Sequence, residues 1–247
     1  MWKESKLNFH QEMIDFLEGA QEEDLSINEN LLIEANVALT MIKAVLFDFD
    51  DTLVPYREIG IKAHQAAAKR LKIKIPTDDQ LKGMFGMPWD KLIHSFWPGY
   101  SKTKFKNAYW KVAGKQKRKA FPGAVELIKK LGTSYKLFIL SSREKESLHT
   151  LIGNSGFKEE MFEAIYSCEE VKHQKPDERF FEPVLTNYTP NELVYVGDTI
   201  HDAVAAKSAG MKFIGIANGG CTTEAFEKIG ADWVIKDIKE FPNLSKK

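Results

Sequence analysis

The feature that most restricts the fold is a recurrence in the second half of the chain, where short apolar runs rich in Val, Ile and Phe alternate with helix-like stretches. This is the pattern of a parallel sheet with crossover helices. Strands are predicted at KAVLFDFD from Lys43, YKLFILSS from Tyr135, EAIYSC from Glu163, ELVYVGD from Glu192, MKFIGIA from Met211 and DWVIKD from Asp232. The segments between them, such as REKESLHTLIGNSG and TIHDAVAAKSAG, are amphipathic, begin with polar residues and stop near Gly, as helices do. Strand and helix in alternation give an α/β class with a Rossmann-like, doubly wound parallel sheet.

Two regions fall outside the alternation. Residues 60–119 contain no convincing strand and carry Phe85, Trp89, Phe96, Trp97, Phe105, Tyr109 and Trp110 at helical spacings, so a helical insertion with an aromatic core is expected there. Its 15 Lys and Arg against Asp78, Asp79 and Asp90 give a local net charge of +12. Residues 1–40 are the opposite, with nine acids against Lys3 and Lys6, a net of −7. Phe9, Met13 and Leu17 recur on one helical face, and Ser26 with Glu29 forms a capping box ahead of Leu31, Ala35 and Ala38. The expected organisation is an acidic helical extension over 1–40, a catalytic core over 41–59 and 120–247, and a basic helical cap over 60–119.

The two charged modules cancel: 35 basic and 35 acidic residues give no reason to expect a nucleic-acid or membrane partner. With 43% hydrophobic and 28% charged residues, disordered and fibrous classes are excluded. Cys168 and Cys221 are too few for a zinc site or a disulfide framework and read as reduced thiols, one disulfide at most. No apolar run approaches the ~20 residues of a membrane span, and MWKESKLNFHQEM lacks the apolar core of a signal peptide. A cytoplasmic protein is expected.

Acids gather at two predicted strand ends. VLFDFDDTLV puts Asp48, Asp50 and Asp51 after the first apolar run, where the carboxyl end of a parallel strand opens onto the ligand crevice. Period-two geometry aims Asp48 and Asp50 the same way, close enough to share a cation. LVYVGDTIHDAV repeats the arrangement, with Asp198 after a strand and Asp202 at the start of a helix. Either cluster alone has a plainer use as turn and helix caps; together they offer hard oxygen ligands suited to Mg²⁺. LFILSS ends a strand with Ser141 and Ser142, which suit an anion at a helix start or simply cap it. HQKPDERFF sets Lys175 before Pro176, which disfavours helix at Lys175 and starts one after it.

These four pieces, in this order, resemble the motifs of the haloacid dehalogenase-like hydrolases: DFDDT at Asp48, the strand-ending Ser141, Lys175 with Pro176, and GDTIHD from Gly197. FPGAVELIKKL from Phe121 is similar to the re-entry segment after a helical cap in the phosphoglycolate phosphatase and β-phosphoglucomutase branch. The resemblance runs from Met41 to the C-terminus and has no counterpart for the first 40 residues. It implies that Asp48 attacks phosphorus, that Asp50 is the general acid and base, and that Ser141, with Ser142 beside it, and Lys175 hold phosphoryl oxygens. It also implies Mg²⁺ held by Asp48, the main-chain carbonyl of Asp50 and Asp198, with Asp202 binding or orienting it. Asp51 stands where many relatives have Gly.

The function expected is a Mg²⁺-dependent phosphatase acting on a small phosphorylated metabolite, as a monomer or homodimer. The alternatives are a phosphomutase of the β-phosphoglucomutase type and a non-catalytic binding protein on the same fold. Gly83, Gly86, Met87 and Pro88 read equally as a substrate-closing loop or a helix–helix turn. His64, His94 and His149 receive no role, and His201 reads as a surface helix position.

Overall fold

The computed structural model describes residues 42–82, 89–114 and 118–244. The expectations for residues 1–40 and for the loop at Gly83 to Pro88 lie outside the described residues. All six predicted strands are present: β1 (Ala44–Phe47), β2 (Lys136–Leu140), β3 (Ala164–Tyr166), β4 (Leu193–Gly197), β5 (Lys212–Ile216) and β6 (Trp233–Ile235). They form one parallel sheet in the order β3-β2-β1-β4-β5-β6. After β1 the chain builds towards β2 and β3 on one side; from β4 it builds towards β5 and β6 on the other. The topological switch therefore falls between β1 and β4, and the crevice beyond their carboxyl ends is where such a sheet holds ligand.

Past the lysines that open β2 and β5, the central strands are apolar and buried because both faces are covered. Val45 and Phe47 of β1, Leu137 and Ile139 of β2, and Val194 and Val196 of β4 enter one core. Their neighbours Ala44, Leu46, Phe138, Leu140, Leu193 and Tyr195 enter the core on the opposite face, as the period of two requires.

Between β1 and β2 the described chain is helical: α1 (Arg57–Arg70), α2 (Asp78–Lys82), α3 (Trp89–Phe96), α4 (Lys102–Ala113) and α5 (Ala124–Leu131). Ala63, Ala67 and Ala68 of α1 share a third core with Leu92, Ile93, Trp97, Phe105 and Tyr109, so the insertion's aromatics serve largely to bury one another. Small side chains on α1 let the aromatic-rich α4 pack close. The remaining helices are α6 (Lys145–Ser155), α7 (Glu182–Leu185), α8 (Ile200–Ser208) and α9 (Thr223–Ile229). Val125 side by side with Ile128 and Leu131 of α5 and Leu148 and Ile152 of α6 cover the first face. Ala203, Ala205 and Ala206 of α8 and Phe226 of α9 cover the second.

Thr199 starts α8 with a reciprocal cap: its Oγ1 accepts from the Asp202 N–H at 3.2 Å, and Asp202 accepts from the Thr199 N–H at 2.9 Å. Gly197 has to be small here, since a Cβ would stand 2.6 Å from the Asp202 side chain. Cys168 and Cys221 are free thiols. Among the described residues no helix is long and apolar enough to cross a membrane.

Candidate active site

Asp48 is the first residue past β1, and its N–H extends the ladder by donating to the Val196 carbonyl at 2.9 Å. Asp198 is the first residue past β4, so adjacent strands deliver two carboxylates to the switch point. Lys175 arrives from the loop before the 3₁₀ turn Glu178–Phe181. Its Nζ donates to Asp48 Oδ1 at 2.9 Å, to Asp202 Oδ1 at 2.6 Å and to the Tyr195 hydroxyl at 3.2 Å, which uses all three ammonium hydrogens. With a side chain only 2% exposed, Lys175 is opposed by burial, but Asp202 and Asp48 outweigh it and hold the amine charged.

Asp202 is the pin of the arrangement. Oδ1 receives Lys175 and Tyr195, and Oδ2 receives the Thr199 N–H and hydroxyl. Burial pushes its carboxyl up, yet Lys175 and Thr199 prevail and keep it below the ordinary carboxylate value. Asp48 goes the other way: burial, only partly offset by Lys175, pushes it up to about 7. Asp198 is raised well above the usual range by burial and by the crowding of Asp51, Asp202 and Asp48, with Arg57 offsetting part. Asp48, Asp198 and Asp202 each bring a carboxylate oxygen within 4.8 Å of the others. A buried set of hard oxygens short of positive charge fits a divalent cation.

Asp50 is held differently. Arg143 grips it with a two-pronged fork, Nε to Oδ2 at 2.8 Å and Nη2 to Oδ1 at 2.6 Å, and Nη1 of Arg118 stands 4.0 Å from Oδ1. Both guanidinium groups lie by the Tyr56 ring, 4.8 Å and 4.9 Å from its centre, and the Tyr56 hydroxyl pairs with that of Tyr109. Asp51 adopts a left-handed backbone (φ 58°), which Asp tolerates better than most side chains. Its Oδ1 accepts the N–H groups of Tyr56 and Arg57 at 2.9 and 3.0 Å and so caps α1 from a distance. That is the structural use of an acid where glycine is common. The Arg57 guanidinium then closes on Asp198 Oδ2.

Ser141 extends β2 by donating its N–H to the Tyr166 carbonyl at 3.0 Å, and its Oγ accepts from the Arg143 N–H at 3.2 Å. The Ser142 hydroxyl is buried with no hydrogen-bond partner. All seven residues singled out from the sequence, Asp48, Asp50, Ser141, Ser142, Lys175, Asp198 and Asp202, line one cavity of about 110 Å³. Asp51, Tyr56, His64, Trp89, Leu92 and Trp110 form the rest of its wall together with Arg143, Glu144 and Thr199.

Sequence reasoning passed over several of these residues. His64, given no role, is buried on the cavity wall; its Nδ1–H donates to the Gly60 carbonyl at 2.6 Å, and burial lowers its ring to about 4. Trp89 and Trp110 line the cavity as well as packing the insertion. Arg143 had a visible signal, a cation directly after the serine pair. Arg118, inside KQKRKAF, had none to distinguish it from its neighbours. His201 does not line the cavity, and His149 pairs with Glu159.

A parallel sheet that sets buried carboxylates on two adjacent strand ends and pins a lysine between them is built as an enzyme site, and the family match gives its class as a hydrolase. The chain belongs to the haloacid dehalogenase-like hydrolase family, whose model matches residues 45–216. Pyrophosphatase PpaX of Listeria innocua is 26% identical over 205 residues, 81% of this chain and 94% of its own length. Phosphoglycolate phosphatase of Caulobacter vibrioides is 27% identical over 124 residues, 49% of this chain and 52% of its own. The crystal structure of CbbY from Rhodobacter sphaeroides in complex with phosphate shares the fold, with a TM-score of 0.70 at 20% identity over 81% of this chain and 96% of that one.

Proposed function

We propose that the chain is a Mg²⁺-dependent phosphatase that hydrolyses a small phosphomonoester through an aspartyl-phosphate on Asp48. The observation that supports it most is the placing of Asp48 at the floor of the cavity, against Lys175 and beside two further buried carboxylates. Relatives named as a pyrophosphatase and a phosphoglycolate phosphatase support phosphoryl chemistry on small substrates. So does the cavity, whose 110 Å³ lies well below the ~300 Å³ at which drug-sized sites begin.

In this reading a carboxylate oxygen of Asp48 attacks phosphorus while protonated Asp50 gives its proton to the departing ester oxygen. Asp50, now ionised, takes a proton from water; the resulting hydroxide displaces Asp48 from phosphorus and releases phosphate. Ser141, Ser142 and Lys175 hold the phosphoryl oxygens, Lys175 giving up its 3.2 Å bond to the Tyr195 hydroxyl to do so, and Asp202 keeps Lys175 in place. Asp48, Asp198 and the Asp50 main-chain carbonyl would hold Mg²⁺, which when bound offsets the negative charge shared by phosphoryl group and carboxylates. Residues 60–119 act as a cap on a core made of 41–59 and 120–247.

Phosphate release from a panel of phosphorylated metabolites tests the reading. Asp48→Asn keeps the shape but loses the nucleophile, and turnover is expected to fall by about three orders of magnitude or more while the circular dichroism spectrum is kept. Chelation is expected to abolish release and added Mg²⁺ to restore it. Near-normal release by the variant, or activity that survives rigorous chelation, overturns the proposal.

A further inference from the structure

We propose that Arg57 is a resident cation of the candidate metal centre: it holds one carboxylate oxygen of Asp198 beside the bound ion, lowers the affinity for that ion by repulsion, and fits the cluster to a divalent charge. The inference rests on the metal-dependent phosphatase reading for the presence of an ion at Asp48 and Asp198.

The backbone places Arg57 for this use. Asp51 Oδ1 takes the N–H groups of Tyr56 and Arg57 at 2.9 and 3.0 Å, so the acid that stands where glycine is common sets the start of α1 and the reach of its first side chain. From there the Arg57 guanidinium donates to Asp198 Oδ2, 141 positions away, and lies 3.7 Å from Asp51 Oδ2. Asp198 Oδ1 is left with the Thr52 hydroxyl at 3.5 Å. Among the described residues Arg57 is the one cation paired with Asp198.

The loop after β5 is cut back to admit the guanidinium. A Cβ on Gly220 would collide with Arg57 Nη2 and stand 2.7 Å from Asp198 Oδ2. The contact is therefore built from three segments of the chain, and the Arg57 side chain within it is only 12% exposed.

Charge shows what the contact does. Asp50 has Arg143 as its own partner, whereas Asp48, Asp51, Asp198 and Asp202 are buried with Lys175 and Arg57 as their cations. With these four acids ionised, four negative charges meet two positive ones, and a divalent ion supplies the rest. Without Arg57 the shortfall is three. Little water separates these groups, so a unit charge on Asp198 repels the ion far more than it would in bulk solvent. The repulsion grows with the charge of the ion. An Arg57 that merely held Asp198 in place would act in the opposite sense, since its loss would loosen a ligand and weaken the metal.

The test uses the full-length protein, stripped of metal with EDTA and titrated calorimetrically with Mg²⁺ and with Tb³⁺ in the absence of substrate. Arg57→Met is expected to bind Mg²⁺ about tenfold more tightly than the wild type, and Arg57→Lys, which keeps the charge, to stay within about threefold of it. The gain of Arg57→Met is expected to be larger for Tb³⁺ than for Mg²⁺. Unchanged or weaker Mg²⁺ binding by folded Arg57→Met, or an equal gain for the two ions, overturns the role of Arg57 and leaves the metal centre standing. Should Arg57→Met not fold, Arg57→Gln takes its place with the same expectations. A wild type that binds no Mg²⁺ overturns the metal reading and this role with it.

Discussion

Asp48 and Lys175 are separated by 127 positions, and their side chains meet at 2.9 Å because one ends a strand and the other precedes a turn over the same crevice. The acids of this site were readable in the sequence because strand-ending carboxylates have a local signature, an apolar run that stops at Asp. The Arg143 fork was legible only in part: its place after the serine pair marks it among 35 basic residues, but nothing local says that its partner is Asp50, 93 positions away. His64 was missed for a related reason: a lone histidine on a helix looks the same whether it faces water or Trp89 and Tyr109. Its burial makes a sharp prediction. The folded ring titrates near 4 and the unfolded one near 6.5, so between these values the unfolded chain binds more protons. Stability contributed by neutral His64 is then present above pH 6.5 and is lost as pH falls towards 4. Chemical denaturation at pH 7 and pH 5 is expected to show the wild type losing about 2 kcal/mol more than His64→Gln. Equal losses would mean that His64 accepts its proton in the folded state.

The strands announced themselves because each is a nearly unbroken apolar run, with Lys136 and Lys212 only at the first positions of β2 and β5, whereas α2 and α7, of five and four residues, are too short to show a helical period. Glycines bring out what the strands do for the helices. Gly197 of β4 and Gly215 of β5 are register partners. A Cβ on Gly215 would stand 2.7 Å from the Phe226 ring of α9, and one on Gly197 would stand 2.6 Å from Asp202 of α8. Both helices thus lie unusually close to the sheet, but only one carries a residue of the site. Gly215→Ala is expected to lower unfolding free energy by about 1–3 kcal/mol through overpacking with kcat/KM unchanged. Gly197→Ala is expected to lower stability and turnover together, because Asp202 has to shift and Lys175 with it. Denaturation curves and phosphate-release kinetics on the two variants check this. A silent Gly197→Ala would show that Asp202 has room to spare.

At the scale of the molecule the neutral total conceals a segment of +12 over residues 60–119 and one of −7 over residues 1–40. Esters with two anionic groups are expected to show kcat/KM falling as salt screens the field beyond ~8 Å at physiological ionic strength. A flat salt profile would reduce the basic segment to a solvated face. A protein starting at Met41 retains every residue assigned to the site and is expected to keep Mg²⁺-dependent phosphate release; loss of that activity in a folded product would place a catalytic contribution in the first 40 residues. Fold class was legible because alternation is a property of the whole chain, while cavity size depends on where α3 and α4 come to rest.

Arg57 gives the insertion a mechanical character. It opens α1, its guanidinium closes on Asp198, and Asp51 grips its N–H, so the helix is clamped at the sheet. At 1.5 Å per residue, the 14-residue α1 is a lever of about 21 Å, and a tilt of about 5° sweeps its far end through about 2 Å. The clamped end hardly moves over that arc. Any tilt of α1 about this clamp would have its fulcrum beside the acidic cluster, so the far end of the helix would swing while the spacing of the carboxylates stayed as it was.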